Sequence, residues 1–332
     1  MKPKDLIQIV LAPFSFIFFS IIYLRNLFYD IKLFKAHEAG LKVISVGNIT
    51  WGGTGKTPSV IYITELLLEK NKRPAILIRG YGDDEHKLFP KLLGEVPVFV
   101  GKNRVSSAKK ALSRGSIDTL VLDDGFQHRR LKRDLDIVCI DSLDPFGNGF
   151  LIPAGILREG ISSLKRAHIF LITKTDLYQD KAGLESLESD LKKINPSAAI
   201  FRAVYEPKAL YSLKEEKAVE LSELKNKNLA LVSAIASPKS FERTISGIGL
   251  TFSKHFIFRD HHPYTIEDLK EIDDYYSRNK IDSIIITEKD AVKLRSINYK
   301  LKTKNYLVLG IELKIIENES KLHDRLFSIY NS

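Results

Sequence analysis

The most informative part of the chain is ISVGNITWGGTGKTPSVIYITELLLEK, residues 44–70. An apolar, β-branched run leads into a glycine-rich turn, and Lys56 and Thr57 then open a segment with helical spacing of its apolar residues. A strand, a glycine loop and a helix in this order form a phosphate site, because backbone N–H groups and the positive end of the helix converge on phosphate oxygens. We therefore predict an α/β fold built on a P-loop NTPase-type parallel sheet.

The predicted loop departs from the usual G-x-x-x-x-G-K-[ST] spacing at its first position, which is Thr50. Lys56 is the candidate that reaches the β- and γ-phosphates, and the Thr57 hydroxyl is a candidate Mg²⁺ ligand. The alternative is a surface turn that is rich in glycine by chance. The candidate nucleotide-binding residues are Thr50, Trp51, Gly52, Gly53, Thr54, Gly55, Lys56 and Thr57.

A pair of carboxylates follows a second apolar run, in TLVLDDGFQHRR at residues 119–130. Asp123 and Asp124 stand where this strand is predicted to end, just before Gly125. Carboxylate oxygens at the carboxyl edge of a parallel sheet suit Mg²⁺, held directly or through water. An exposed Asp-Gly turn is the alternative. We predict that Thr57, Asp123 and Asp124 form the metal site.

Short apolar runs alternate with amphipathic segments along most of the chain, which favours parallel sheets covered by helices on both faces. The runs predicted as strands are 41–48, 74–80, 96–101, 118–124, 136–141 and 168–174, followed by NLALVSA, KHFIFR, DSIIIT and NYLVLG. The polar, Lys/Glu-rich segment 205–227 is predicted to be a linker. The predicted organisation is an N-terminal helix (1–35), a P-loop domain (36–204), the linker and a second, smaller α/β domain (228–332).

An uncharged stretch of 19 residues runs from Leu6 to Leu24. As a helix it would span about 28 Å, close to the hydrocarbon thickness of a bilayer. A cleaved signal peptide is disfavoured because no small-residue cleavage site follows, whereas a buried core helix with Pro13 at a kink is the alternative. We favour a membrane-associated helix, whether spanning or lying on the bilayer. The arginine and lysines that follow it predict that the rest of the chain stays on the cytoplasmic side.

The composition is that of a globular protein, with 44% hydrophobic and 28% charged residues. A net charge of +10 predicts attraction to polyanions such as anionic lipid head groups or phosphorylated substrates. No nucleic-acid-binding motif is recognised and the positive charge is spread along the chain, so we predict no nucleic-acid partner. The single cysteine, Cys139, excludes an internal disulfide and lies in an apolar run, which predicts a buried structural thiol.

Two further motifs are less specific. In RDHHPY, residues 259–264, Asp260 and His261 are candidates for a hydrogen-bonded pair that positions a catalytic base, with a solvated or structural histidine as the alternative. ITKTD, residues 172–176, resembles the base-reading motif of GTP-binding proteins, although a strand end capped by polar residues has the same pattern. It supports a rival hypothesis, a membrane-tethered GTPase or regulatory NTPase.

Six long motifs occur in one order and together resemble the tetraacyldisaccharide 4'-kinase family of lipid A biosynthesis. The motifs are VGNITWGGTGKTP, ILIRGYG, LDDGFQHRRLKRDLDIVCID, PFGNGFLIPAGILREGISSLKRA, FRDHHPYT and TEKDAVKL. The likeness runs from the N-terminal helix to about residue 295. It implies ATP with Mg²⁺ as donor and transfer of the γ-phosphate to the 4' hydroxyl of a tetraacyldisaccharide 1-phosphate. It also implies an N-terminal helix on the inner membrane, with inner-membrane lipids as neighbours and no obligate protein partner.

The resemblance also assigns residues. The family's ATP loop falls on residues 50–57, its paired aspartates on Asp123 and Asp124, and its catalytic histidine on His261. Its Gly-Asp-Glu-Pro motif is matched only approximately by residues 83–86, where His86 replaces the proline and the stretch that usually follows RGYG is missing. Asp84 is the chosen catalytic carboxylate beside His261 and Lys56, and Asp83 is the alternative.

A basic run, HRRLKR at residues 128–133, follows the predicted metal site. We predict that it holds the existing phosphate of the substrate or anionic lipid head groups, with a solvated basic face as the alternative. Arg158 is a second candidate for the same task.

Overall fold

The computed structural model describes residues 3–80, 85–178, 180–297 and 305–331. Contacts within the chain define two compact units that alternate along the sequence. The first unit comprises residues 1–79, 95–204 and 314–332, and the second comprises residues 80–94 and 205–313.

Both units are built from alternating strands and helices. The strands are β1 (Lys42–Gly47), β2 (Pro74–Ile78), β3 (Val98–Val100), β4 (Thr119–Asp123), β5 (Leu135–Asp141), β6 (Ile169–Thr173), β7 (Ala199–Ser212), β8 (Leu229–Ser233), β9 (Lys254–Ile257), β10 (Ser283–Thr287) and β11 (Tyr306–Ile315). The helices are α1 (Pro3–Asp30), α2 (Lys56–Glu69), α3 (Glu85–Leu93), α4 (Arg104–Leu112), α5 (Lys181–Ile194), α6 (Leu221–Leu224), α7 (Pro238–Gly247), α8 (Ile266–Arg278), α9 (Glu288–Arg295) and α10 (Glu319–Phe327). Short 3₁₀ turns cover Ile161–Arg166, Thr175–Leu177 and Ser328–Tyr330.

The first unit contains a parallel sheet in the strand order β3-β2-β4-β1-β5-β6-β7. β2, β4 and β6 are buried along their whole length, as continuous apolar runs require when helices cover both faces. β1 lies at the centre, and its register places Val46 opposite Asp123 of β4. The carboxyl end of β1, where the glycine-rich loop begins, is therefore next to the predicted metal ligands.

The second, smaller unit contains a parallel sheet in the order β11-β10-β8-β9. Alternate residues of β8 and β10 contribute to two core clusters, one of which also contains Leu269 and Ile272 of α8. The prediction of an α/β fold with parallel sheets is confirmed.

The N-terminal helix α1 continues for 28 residues, with Pro13 inside it. Its segment Val10–Asp30 has a mean hydropathy of 1.6 and is long and apolar enough to cross a membrane, yet only 6% of the apolar window is buried. Phe14, Phe16 and Ile17 are more than half exposed. The buried core helix considered for this stretch is therefore not what the chain forms.

The polar segment 205–227 contains more regular structure than its composition predicts. Its first residues complete β7, and α6 lies near its end. Val219 N–H donates to the Leu210 carbonyl, and Ser212 N–H to that of Lys217, so the chain folds back on the strand. Charged side chains are compatible with a strand that keeps one face in solvent.

Candidate functional site

The glycine-rich loop connects β1 to α2 as predicted. Gly55 lies directly before the helix with φ of +83°, a backbone conformation that a side chain would strain. Gly47, at the end of β1, approaches Phe126 so closely that a Cβ atom would lie 2.6 Å from the Phe126 Cβ. These glycines let the loop turn sharply and let β1 pack against the segment after β4. Thr50, Thr54 and Thr57 are buried within this turn, whereas Trp51 is 63% exposed.

Side chains from neighbouring strand ends hold the loop backbone. Asn48 donates its amide to the Thr54 hydroxyl at 2.8 Å. Thr173, the last residue of β6, donates its hydroxyl to the Thr54 carbonyl at 3.1 Å. Lys174 donates to the Gly53 carbonyl at 2.8 Å and forms an ion pair with Asp141 at 2.5 Å. These hydrogen bonds hold the shape of the loop backbone.

These contacts define the structural role of the ITKTD motif. Its lysine, Lys174, is buried and adopts a left-handed backbone conformation, with φ of +60°, that aims the side chain at the glycine-rich loop. Asp176 is an exposed residue overall. Its carboxyl group is nevertheless partly shielded from solvent, and this desolvation raises its pKa. The motif supports the phosphate loop, and this role does not depend on which base the nucleotide carries.

Lys56, Asp124 and Arg158 form a charged triangle beside the loop. Arg158 donates one guanidinium nitrogen to both carboxylate oxygens of Asp124, at 2.8 and 2.7 Å, and the Lys56 ammonium lies 3.5 Å from the same carboxylate. Burial alone would raise the pKa of the Asp124 carboxyl, but the charges of Lys56 and Arg158 outweigh it and the pKa is lowered. Asp124 is therefore ionised at neutral pH and keeps two cations at the phosphate site.

Of the predicted metal ligands, Asp123 is the last residue of β4, Asp124 follows it, and Thr57 is the second residue of α2. The Asp123 carbonyl accepts a hydrogen bond from Arg104 at 3.1 Å, which fixes the end of β4. Within the described residues, no cluster of three or more His, Cys, Asp or Glu side chains could hold a metal ion. Mg²⁺ at a nucleotide takes few protein ligands, all of them oxygens, and completes its shell with phosphates and water. The hydroxyl and carboxylates present here fit that requirement.

The basic run 128–133 is largely committed to contacts within the first unit. Arg129 pairs with Asp30 at 2.6 Å, and Arg133 is nearly buried against Asp136 at 3.0 Å. Burial, followed by the charges of nearby arginines, lowers the pKa of His128 to about 4, so its imidazole is neutral at pH 7. Arg133 is therefore not part of a solvated basic face, and a role of the run in holding the substrate phosphate or anionic lipid head groups stays a prediction.

Cys139 is buried, as predicted, and its thiol lies 3.4 Å from the Ser59 hydroxyl. Burial raises the pKa of this thiol to about 11. The group is therefore a protonated structural thiol in the core of the first unit.

In the second unit, His261 lies at the tip of a tight turn with φ of +58°. Its Nε2 atom is 3.8 Å from the Asp260 carboxylate, which is too long for the hydrogen bond predicted between them. The hydrogen-bonded pair is instead His262 and Asp268, at 2.8 Å. His262 also stacks on Phe258, with ring centroids 5.0 Å apart.

The turn is fixed further by two motifs that are distant in sequence. Tyr264 donates its hydroxyl to the buried carboxylate of Asp290 at 2.9 Å. The same carboxylate accepts from the Ala234 N–H at 3.0 Å and from the Thr287 hydroxyl at 2.6 Å. The FRDHHPYT and TEKDAVKL segments therefore form one structural element that holds the backbone around His261. The other predicted acceptor-side residues, Asp83 and Asp84, lie outside the described residues.

The sequence predicted no role for Lys174 at the phosphate loop. It predicted that Arg158 contacts the substrate, whereas Arg158 pairs with Asp124 in the structure. Lys174 was visible as a basic residue after a strand and Arg158 as the arginine of ILRE, but the partner of each lies far away in sequence. Only the strand order brings β6 and the segment around Arg158 beside the loop.

The parallel sheet, the strand–loop–helix turn and the lysine–carboxylate cluster define a P-loop nucleotide-binding protein. The sequence also matches the LpxK family, described as tetraacyldisaccharide-1-P 4'-kinase, over residues 7–92 and 84–331. The chain therefore belongs to the tetraacyldisaccharide 4'-kinase family.

Individual relatives agree with this placement. A tetraacyldisaccharide 4'-kinase from Halothermothrix orenii is 36% identical, over 93% of this chain and 90% of that protein. One from Syntrophus aciditrophicus is 35% identical, over 88% of this chain and 86% of that protein. The crystal structure of LpxK from Aquifex aeolicus in complex with ATP superposes with a TM-score of 0.76 at 28% identity and covers 98% of this chain and 99% of that one.

Proposed function

We propose that this chain transfers the γ-phosphate of ATP to the 4' hydroxyl of a tetraacyldisaccharide 1-phosphate, forming lipid IVA in lipid A biosynthesis. The observation that carries the proposal is the pre-shaped phosphate loop with Lys56 and Arg158 gathered on Asp124, in a chain of the tetraacyldisaccharide 4'-kinase family. The alternative of a regulatory GTPase is not favoured, because the lysine of ITKTD supports the loop and the family is one of kinases.

Residues 50–57 bind the nucleotide in this proposal. The loop N–H groups and the N-terminus of α2 receive the phosphates, while Lys56 moves from Asp124 to phosphate oxygens. Thr57, Asp123 and Asp124 would hold Mg²⁺, which neutralises charge on the phosphates. Arg158 is close enough to Lys56 and Asp124 to share that task.

On the acceptor side, His261 and Asp84 act together on the sugar hydroxyl. The hydroxyl is a weak acid, so a carboxylate oriented by a histidine accepts its proton as the new bond to phosphorus forms. The rigid turn that carries His261 supports this assignment, since a group that orients a base must itself be held. Asp84 is proposed from the resemblance, with Asp83 as the neighbouring choice.

We further propose that α1 associates with the cytoplasmic face of the inner membrane. Its exposed apolar side chains and its length support the association. Residues 1–35 form this membrane-associated part of the chain.

Lys56→Ala tests the phosphate loop. It removes the ammonium that neutralises the transferring phosphoryl group, so we expect turnover to fall by at least about 10³-fold. The assay follows transfer of ³²P from γ-labelled ATP or GTP to tetraacyldisaccharide 1-phosphate in detergent micelles. Lys70→Ala, an exposed lysine at the other end of α2, is the matched control and should stay near wild-type activity. A folded Lys56→Ala protein with wild-type turnover would show that the loop does not bind the transferred phosphate.

A further inference from the structure

The segment 151–159 lies between the phosphate loop and α1 and contacts both. Toward the phosphate loop, the Trp51 N–H donates to the Ile156 carbonyl at 2.6 Å, and the Arg158 N–H donates to the Ile49 carbonyl at 2.7 Å. Thr50 and Leu157 form an antiparallel bridge between these hydrogen bonds. The backbone of the segment is therefore paired along the edge of the phosphate loop.

The same segment is also joined to α1. The Ser15 hydroxyl donates to the Leu151 carbonyl at 2.7 Å and accepts from the Ala154 N–H at 2.9 Å. Ser15 is buried, although most side chains around it on the helix are exposed. A polar side chain with both contacts satisfied fixes the position of the helix along the segment.

The segment ends in two adjacent charged residues with separate sets of partners. Arg158 pairs with Asp124 at the phosphate site. Glu159 is fully buried, and its carboxylate accepts from Arg25 of α1 and from Arg166 at 2.6 Å. A buried carboxylate is costly unless it is paired, so it holds both arginines in place.

We propose that Glu159 is a positioning residue. Through its ion pair with Arg25, it couples the position of α1 to the position of the Arg158 side chain at the phosphate site. Because the two residues are consecutive, a shift of Glu159 on loss of its helix partner moves the backbone that places the Arg158 guanidinium. An arginine that stabilises a transferring phosphoryl group depends on accurate placement, since errors near 1 Å cost on the order of 10²-fold in rate. The inference rests on the proposed kinase function. It adds that α1, beyond associating with membrane, supports the geometry of phosphoryl transfer.

Arg25→Gln is the test variant. Glu159 keeps Arg166 as a partner, so the substitution does not leave the buried carboxylate alone and the protein should fold. The apolar face of α1 is unchanged, so membrane or micelle binding should persist. We expect kcat for tetraacyldisaccharide 1-phosphate in mixed micelles to fall about 10-fold, with KM for the lipid within about twofold. Arg25→Lys, which retains the charge, should restore most of kcat.

Asp30→Asn is the matched control. It removes another ion pair of the same helix, the one with Arg129, but that pair does not involve the segment 151–159. Its kcat should stay within about twofold of wild type if the path through Glu159 is specific. Equal losses in Asp30→Asn and Arg25→Gln would overturn the proposal, because they would show a general effect of loosening the helix.

A second measurement needs no acceptor. Trp51 is the single tryptophan of the chain, and the Arg158 guanidinium lies 5.8 Å from its ring. Arg25→Gln should change Trp51 emission in the same direction as Arg158→Ala does, while Asp30→Asn should not. Wild-type emission together with wild-type kcat in Arg25→Gln would refute the coupling. A wild-type protein that transfers no phosphate to the lipid would instead contradict the proposed function, and the Trp51 result would still report on the coupling.

Discussion

Glu288, the first residue of α9, should make the stability of the second unit depend on pH. Burial raises the pKa of its carboxyl group from 4.5 to about 7, although the Ile311 N–H and the charges of Lys91 and Lys208 oppose the rise. The folded-state pKa is thus above the unfolded value. The contribution of the protonated group is fully present below about pH 4.5 and is lost as the pH rises through about 7.

The size of the effect follows from the two pKa values. A difference of about 2.5 units corresponds to about 3 kcal/mol in total, of which about 2 kcal/mol should disappear between about pH 5.5 and 8.5. Glu288→Gln removes the titrating group and keeps the shape of the side chain. The free energy of unfolding of the wild type, minus that of the variant, should therefore decline across this interval.

Urea unfolding followed by far-UV circular dichroism at several pH values measures this difference. Hydrogen exchange of the β10 amides, Ser283–Thr287, assigns it to the second unit. All other titrating groups are common to the two proteins, so their contributions cancel. A difference that is flat from pH 5.5 to 8.5, or that rises with pH, would refute the reasoning that burial dominates at Glu288.

Two further predictions concern the membrane helix and the acceptor site. Deleting residues 1–26 should move the protein from the membrane fraction toward the soluble fraction, as measured by fractionation. It should also lower lipid phosphorylation more than ATP binding, which equilibrium binding measures. If the truncated protein stays on the membrane, basic side chains rather than α1 anchor it. Asp84→Ala and His261→Ala should each lower turnover by about 10²–10⁴-fold, and the double variant should be little worse than the poorer single one, because the groups act as a unit. If the loss of turnover in the double variant is the product of the two single losses, Asp84 and His261 act independently. If Asp83→Ala loses most of its turnover while Asp84→Ala stays near wild type, the catalytic carboxylate is Asp83.

Most strands could be predicted from the sequence because their signal is local. The run TLVLD is apolar, β-branched and followed by Asp-Gly, and the structure forms β4 there, with Asp123 as its last residue. The phosphate loop was equally visible, since its glycines, Lys56 and Thr57 are consecutive. Such features need only propensity and spacing.

Contacts between distant segments depend on strand order and could not be derived from the local sequence pattern. No strand was predicted at residues 199–204, and nothing in the polar composition of residues 205–227 indicates that β7 runs from Ala199 to Ser212. The hydrogen bond between Tyr264 and Asp290 joins residues that are separated by an entire helix and strand. Likewise, the sequence gives no sign that Arg133 turns inward to Asp136 while neighbouring Arg130 is exposed. These contacts depend on which distant segments pair in the fold. A single sequence shows which residues can form hydrogen bonds or ion pairs, but it does not show which of them are partners.

The charge arrangement at the phosphate loop follows from the same long-range pairing and has a functional consequence. Two cations held beside each other repel, so Lys56 and Arg158 need a counter-charge between them. Asp124 supplies it by binding Arg158 through both oxygens and Lys56 through one. In the proposed function a triphosphate would replace the carboxylate as the partner of Lys56, while Lys174 keeps its hydrogen bond to the Gly53 carbonyl of the loop. Asp124, one of the residues proposed to hold Mg²⁺, would then supply a carboxylate oxygen to the ion, so that one residue would both balance the two cations and hold the metal.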